Sequence, residues 1–213
     1  MSARYPNYDV LAKRHTPSWN EKTRRVIDQR LALPREPRFL SDAEFQTLEA
    51  VCARIVPQPA TRPPIPVAAM IDTKLFDDKG DGYRDYRLPP LREAWQRGLR
   101  ALDAEAQARN GGAFSALSVD EQDALLRAAQ EGRLTNPAWQ GMASKLFFAK
   151  RLLLDIVKAY YAHPTAWSEI GYGGPASPRG HVRMDFDRRD PWEAAEAKPG
   201  HENAAAKINA RIG

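Results

Sequence analysis

Cysteine is almost absent: Cys52 is the single one in 213 residues. That excludes an internal disulfide and any zinc or iron–sulfur site built on cysteines. Long apolar runs are missing too. The most apolar stretch, Met142 to Ala162, is interrupted by Lys145, Lys150, Arg151, Asp155 and Lys158, charges that a bilayer span would not carry. No apolar run of signal-peptide length lies between Met1 and Leu33, and Arg24-Arg25 is followed by only Val26-Ile27 before Asp28, Gln29 and Arg30. The expectation is a soluble, cytoplasmic chain. Sustained alternation with β-branched residues is also lacking, so strands should be scarce.

What remains is an ordinary globular composition with 43% hydrophobic and 28% charged residues. Seventeen Pro and thirteen Gly indicate neither a collagen nor a wholly disordered chain. The net charge is +5, and its distribution is uneven. Residues 1–38 hold nine Lys/Arg and four Asp/Glu, residues 39–175 sixteen and seventeen, and residues 176–213 seven and six. The reading is an all-α protein: a single compact domain of about five helices over 39–175, with a basic extended arm at 1–38 and a polar arm at 176–213.

Ser41 with Glu44 spells a capping box, and Phe45, Leu48, Val51, Cys52 and Ile55 follow at helical spacing until Pro57. Cys52 on that stripe reads as a buried structural thiol. Pro66 opens a second helix bearing Val67, Met70, Ile71 and Leu75, and Pro90 a third that ends at Gly111-Gly112. Ser118 with Glu121 repeats the box and Gly132 stops that helix. Asn136-Pro137 opens the longest candidate, which His163-Pro164 ends. Two weaker helical signals lie at Asp190 to Glu193 and Ala204 to Ile212.

Candidate chemistry is thin. Asp77-Asp78-Lys79-Gly80-Asp81-Gly82 resembles the opening of a calcium loop, but Lys79 and Leu88 stand where oxygen ligands belong, so a polar turn is predicted. Gly171-Tyr172-Gly173-Gly174-Pro175-Ala176 matches the dinucleotide spacing without the strand and helix that give it meaning. His15, His163, His181 and His201 have no metal-ligand spacing, and no nucleophile motif is present. Catalytic, cofactor-binding and metal residues are therefore all expected to be none in this chain.

The arms are more suggestive. Tyr5, Tyr8 and Trp19 punctuate the basic N-terminal arm, and Phe186 and Trp192 the C-terminal one. Aromatics among arginines are enriched at protein interfaces. Three readings stand: anchors for a partner chain, side chains folded back on the domain's own core, or platforms for nucleic-acid bases. Partner binding is favoured, and a basic helical module that binds nucleic acid is the alternative. Residues 1–38 are too poor in apolar positions to fold alone.

The order of landmarks resembles the gluconate 2-dehydrogenase subunit 3 family. It comprises the Leu40-Ser41-Asp42-Ala43-Glu44-Phe45 start, the Val67-Ala68-Ala69-Met70-Ile71-Asp72 helix and the Phe114 to Leu126 pattern. The His163-Pro164, Trp167, Ile170-Gly171-Tyr172-Gly173-Gly174-Pro175 ending is its most specific piece. The resemblance implies a helical, non-catalytic small subunit that binds and matures a large FAD-containing oxidoreductase of the glucose–methanol–choline type. It also implies that a cytochrome c subunit can complete the complex, and that FAD sits in the partner. Many members carry a twin-arginine leader; here export would depend on a partner that carries one, giving a periplasmic alternative. The expected partner contacts are Tyr5, Tyr8, Trp19, Trp167, Tyr172, Gly173, Gly174, Pro175, Phe186 and Trp192.

Overall fold

Each serine predicted to start a helix does so. Ser41 accepts from the backbone N–H of Glu44, whose carboxylate reaches back to the Ser41 N–H at 2.9 Å, and Ser118 and Glu121 repeat the exchange. Pro66 and Pro90 stand just before two further helices, and Gly111 and Gly132 end two helices in the left-handed conformation at φ 76° and 79°, where glycine carries no Cβ penalty. The computed structural model describes residues 4–80, 82–83, 85–175 and 190–212, and every regular element among them is helical.

The helices are α1 (Glu21–Leu31), α2 (Asp42–Ile55), α3 (Val67–Phe76), α4 (Leu91–Asn110), α5 (Val119–Glu131), α6 (Ser144–Phe147), α7 (Leu154–Tyr161), α8 (Pro164–Ile170) and α9 (Glu202–Asn209). A π-helical segment, Phe148–Leu153, joins α6 to α7, and 3-10 turns lie at Val10–His15, Phe114–Ala116 and Pro137–Trp139. The chain forms two compact units. One is Leu33–Tyr160; the other combines Met1–Ala32 with Tyr161–Gly213. These divisions, at 32/33 and 160/161, differ from the boundaries at 38 and 175 that the sequence suggests. Apolar side chains of the N-terminal segment pack with partners that the far end of the chain supplies.

The Leu33–Tyr160 unit packs α2, α3, α4 and α5 with the 137–160 run. Leu48, Val51, Leu75, Leu99, Leu102, Phe114, Phe147, Leu152 and Ile156 are among its most buried side chains. Phe147 is central: its ring meets Trp95 and Trp139 edge-on at centroid distances of 5.7 and 5.8 Å. Gly98 makes room for that ring, since a Cβ there would stand 2.1 Å from Phe147 Cζ. Asp72, 1% exposed, accepts from the backbone N–H groups of Arg38 (2.6 Å), Phe39 (3.2 Å) and Leu40 (2.8 Å). It thereby fixes the approach to α2.

The long helix expected from Asn136 to His163 is broken instead. Gln140 and Gly141 take positive φ (47° and 79°), which ends the Pro137–Trp139 turn before α6 begins. His163-Pro164 does end α7, but it also begins α8: Pro164 sits at the first helical position and His163 Nδ1 accepts from Thr165 N–H at 3.2 Å. Asp190 to Glu193 is a turn rather than a helix, with Glu193 N–H donating to Asp190 O at 3.0 Å.

In the other unit Tyr8, Val10, Trp19, Ile27, Trp167 and Ile212 form one buried cluster, with Tyr5, Leu11, Trp192 and Ala194 packed against it. The two chain ends are tied together. Ala197 N–H donates to Arg4 O at 2.8 Å, Arg4 pairs with Glu196 at 2.8 Å, and buried Asn209 Nδ2 donates to Pro6 O at 2.9 Å. Asn209 Oδ1 also accepts from Ala195 N–H at 2.6 Å.

Candidate partner-binding site

The turn after α8 is built on three glycines with three different constraints. Gly171, at φ 68°, caps the helix, and Tyr172 N–H returns to Trp167 O at 2.9 Å. Gly174, also at positive φ (69°), lies where a Cβ would stand 3.1 Å from the Trp167 ring and 3.2 Å from Trp19 Cζ2. Gly173 is closed by Lys13, whose Nζ would lie 3.1 Å from a Cβ there. Only glycine fits all three without strain or displacement. The turn is therefore shaped by residues from the opposite end of the chain.

Trp167 is the hub. Its Nε1 donates to Tyr161 O at 2.6 Å, its ring meets Tyr172 edge-on at 5.7 Å, and the Arg30 guanidinium lies 5.7 Å from the ring centroid. Arg30 also donates to Ala162 O at 3.0 Å. The unit's α1 and 161–172 segments also carry exposed apolar side chains, Val26, Leu31, Tyr161, Ile170 and Tyr172, each between 42% and 46% exposed. An aromatic held at one end by a rigid turn, beside aliphatics and a stacked arginine, has the make-up of a protein interface core.

The expected contact residues separate accordingly. Tyr172 is exposed, and Tyr5, Gly173, Pro175 and Trp192 are half-buried. Tyr8 (6%), Trp19 (2%), Trp167 (4%) and Gly174 are buried within the chain's own unit, so the first three act as core residues here. Phe186 lies outside the described residues. Val26, Leu31, Tyr161 and Ile170 were not singled out in the sequence. Their common feature, an apolar side chain next to Arg30 or the Trp167 turn, appears only once α1 and α8 are folded together.

The basic charge of the N-terminal segment is used internally. Arg14 pairs with both carboxylate oxygens of Asp28, Arg24 donates to Trp19 O (2.8 Å) and Arg14 O (3.2 Å), and Arg25 pairs with Glu21. Lys13, 2% exposed, donates to Ser18 at 3.2 Å and lies 5.3 Å from the Trp19 ring centroid. Tyr8 Oη and Trp19 Nε1 are buried without a hydrogen-bond partner among the described residues. Burial pushes the Tyr8 phenol up to about 12.

Buried polar groups elsewhere have structural partners. Asp155 accepts from Trp95 Nε1 (3.2 Å) and Arg151 (3.4 Å), with Lys74 at 3.7 Å, and Glu105 accepts from Trp139 Nε1 and Asn136 N–H. In the calcium-like loop Asp77 pairs with Lys79 and Asp78 with Arg92, while Asp81 lies outside the described residues. A groove of about 500 Å³ runs between the end of α2 and the start of α3, past Cys52 and Pro57. Burial holds the Cys52 thiol well above its ordinary range. Among the described residues no group of three His, Cys, Asp or Glu is placed to hold a metal, and no helix is long and apolar enough to cross a membrane.

Comparison with known proteins gives one finding. Neither a curated protein nor a solved structure matches the chain, whereas the family model described as gluconate 2-dehydrogenase subunit 3 matches residues 42–174. The match runs from the first residue of α2 to Gly174, the last glycine of the shaped turn. The chain belongs to the gluconate 2-dehydrogenase subunit 3 family, a family of dehydrogenase-complex subunits.

Proposed function

We propose that this chain is a non-catalytic small subunit that binds and stabilises, or matures, a large FAD-dependent oxidoreductase subunit of the glucose–methanol–choline type. The substrate class is a sugar, a sugar acid or a related alcohol, oxidised on the large subunit, where the FAD resides; a cytochrome c subunit is a candidate third component. Family membership over residues 42–174 carries this reading. The exposed Tyr172 edge on the Trp167 hub supports it, because a preorganised aromatic loses little entropy when a partner covers it. The compartment, cytoplasm or periplasm, is that of the large subunit.

The test is expression of the large subunit with and without this chain. The expected result is a rise in soluble, flavin-loaded large subunit only when this chain is present, while this chain purified alone carries no flavin and oxidises none of these substrates. Stoichiometric FAD on the isolated chain, or an unchanged yield of active large subunit in its absence, overturns the proposal.

A further inference from the structure

The Leu33–Tyr160 unit carries exposed aromatic side chains of its own, none of them among the residues assigned above to partner contact. Tyr83 and Tyr86, 79% and 86% exposed, are the most exposed large hydrophobic side chains among the described residues. Phe76 at the end of α3 is 42% exposed.

The described residues at both ends of the 76–88 stretch are tied down. Arg92, at the start of α4, donates to Leu75 O at 2.7 Å and Phe76 O at 2.6 Å, tying the end of α3 to α4. Leu88, 2% exposed, is buried in the core, and its N–H donates to Asp85 O at 3.0 Å. The Asp85 carboxylate accepts from Arg87 three times: from N–H at 3.1 Å, Nε at 2.9 Å and Nη2 at 2.7 Å. Arg38 lies over Phe76, 3.7 Å from the ring centroid. Phe76 and Tyr86 sit beside these tied positions and lose little freedom on docking, which is what an interface anchor requires.

The charges on this surface are sorted. Arg87 and Lys79 side chains are 56% and 75% exposed, while their partners Asp85 and Asp77 are 9% and 31% exposed. Asp78, at 66% against 38% for Arg92, is the reverse case. The outward charge is therefore mainly cationic, set among phenol rings. Phosphate is a poor match, because the carboxylates of Asp77, Asp78 and Asp85 stand within 4 Å of the cations that would hold it. A folded acidic surface can place carboxylates on the outer side of Arg87 and Lys79 and bury the tyrosine rings.

We propose that Phe76, Tyr83, Tyr86 and Arg87, with Lys79 at the rim, dock an acidic patch on the catalytic dehydrogenase subunit. This rests on the functional reading above and adds a second set of contact residues to those of the Trp167 turn. The rings supply affinity and the cations select the partner.

Reconstitution of the complex from purified subunits tests it, with Kd measured at two salt concentrations. Tyr83→Ala/Tyr86→Ala is expected to raise Kd about 100-fold, as loss of two anchors does, with the melting temperature unchanged because both rings face solvent. Lys79→Glu should slow association and flatten its salt dependence, while Lys22→Glu on α1 should leave both as in the native chain. Kd within twofold of native for both the tyrosine pair and Lys79→Glu overturns the docking site and leaves the functional reading intact. A native chain that forms no complex overturns both. Binding of a labelled single-stranded DNA probe that the tyrosine pair abolishes, with complex formation unaffected, assigns the surface to nucleic acid and overturns the protein partner.

Discussion

Tyr5 lies flat against Gly171: a Cβ on that glycine would stand 2.6 Å from both Cε1 and Cζ of the tyrosine ring. The fifth residue of the chain thus sets what can occupy the helix cap 166 positions later. Gly171→Ala meets two penalties, the positive φ of 68° and the ring. It is expected to destabilise the Met1–Ala32 and Tyr161–Gly213 unit by about 2 kcal/mol, read as a lower melting temperature. Adding Tyr5→Ala should return part of that loss, because it removes the clash but not the strained φ.

Gly98 gives a parallel case in the other unit. Gly98→Ala would normally favour a helix, yet here the methyl would meet the Phe147 ring at 2.1 Å. Overpacking is expected to win by about 1–3 kcal/mol. Chemical denaturation checks the sign, and Phe147→Leu in the same chain should recover some stability by freeing the space.

These glycines show where sequence reading succeeds and where it stops. Capping boxes at Ser41 and Ser118 and the stops at Gly111 and Gly132 are local, and the three helices they bound are found where the pattern puts them. α1 was invisible because Thr23 and Ile27 are the residues it buries, and Ile27 packs in a cluster with Trp167 and Ile212. Tyr8 and Trp19 read as partner anchors for the same reason: the side chains that cover them come from the other end of the chain. His163-Pro164 reads locally as a stop, although proline also suits the first position of a new helix, which is where Pro164 stands in α8. The turn at Gly171 to Pro175 was legible as a shaped element, but the role of Lys13 and Trp19 in shaping it was not.

Tyr8 Oη is buried without a partner among the described residues, so the hydroxyl costs more than it returns. Tyr8→Phe is expected to leave stability unchanged or raise it by about 1 kcal/mol. The phenol's folded value, about 12, lies above the ordinary value of about 10. The neutral form is therefore favoured in the fold, and stability falls as pH rises from 10 towards 12. A melting series across that range should show the decline in the native chain and less of it in Tyr8→Phe.

Asp85 works in the opposite direction. Hydrogen bonds from the Arg87 side chain and N–H hold its carboxyl down at about 2, against an ordinary value of about 3.9. Stability from this clamp is complete above the ordinary value and is lost as pH falls towards 2. A carboxyl-carbon NMR titration should place the Asp85 midpoint near 2, and Arg87→Ala should return it to the usual carboxylate range. An unshifted midpoint in the native chain contradicts the clamp.

Binding of a catalytic dehydrogenase subunit is the work proposed for this chain. Purification through a tag on this chain, after co-expression with the proposed large FAD-dependent subunit, is the decisive measurement. A yellow eluate with both chains in fixed ratio and dehydrogenase activity in the same fractions is the predicted result. A colourless eluate of this chain alone, with the active flavoprotein left wholly in the flow-through, contradicts it.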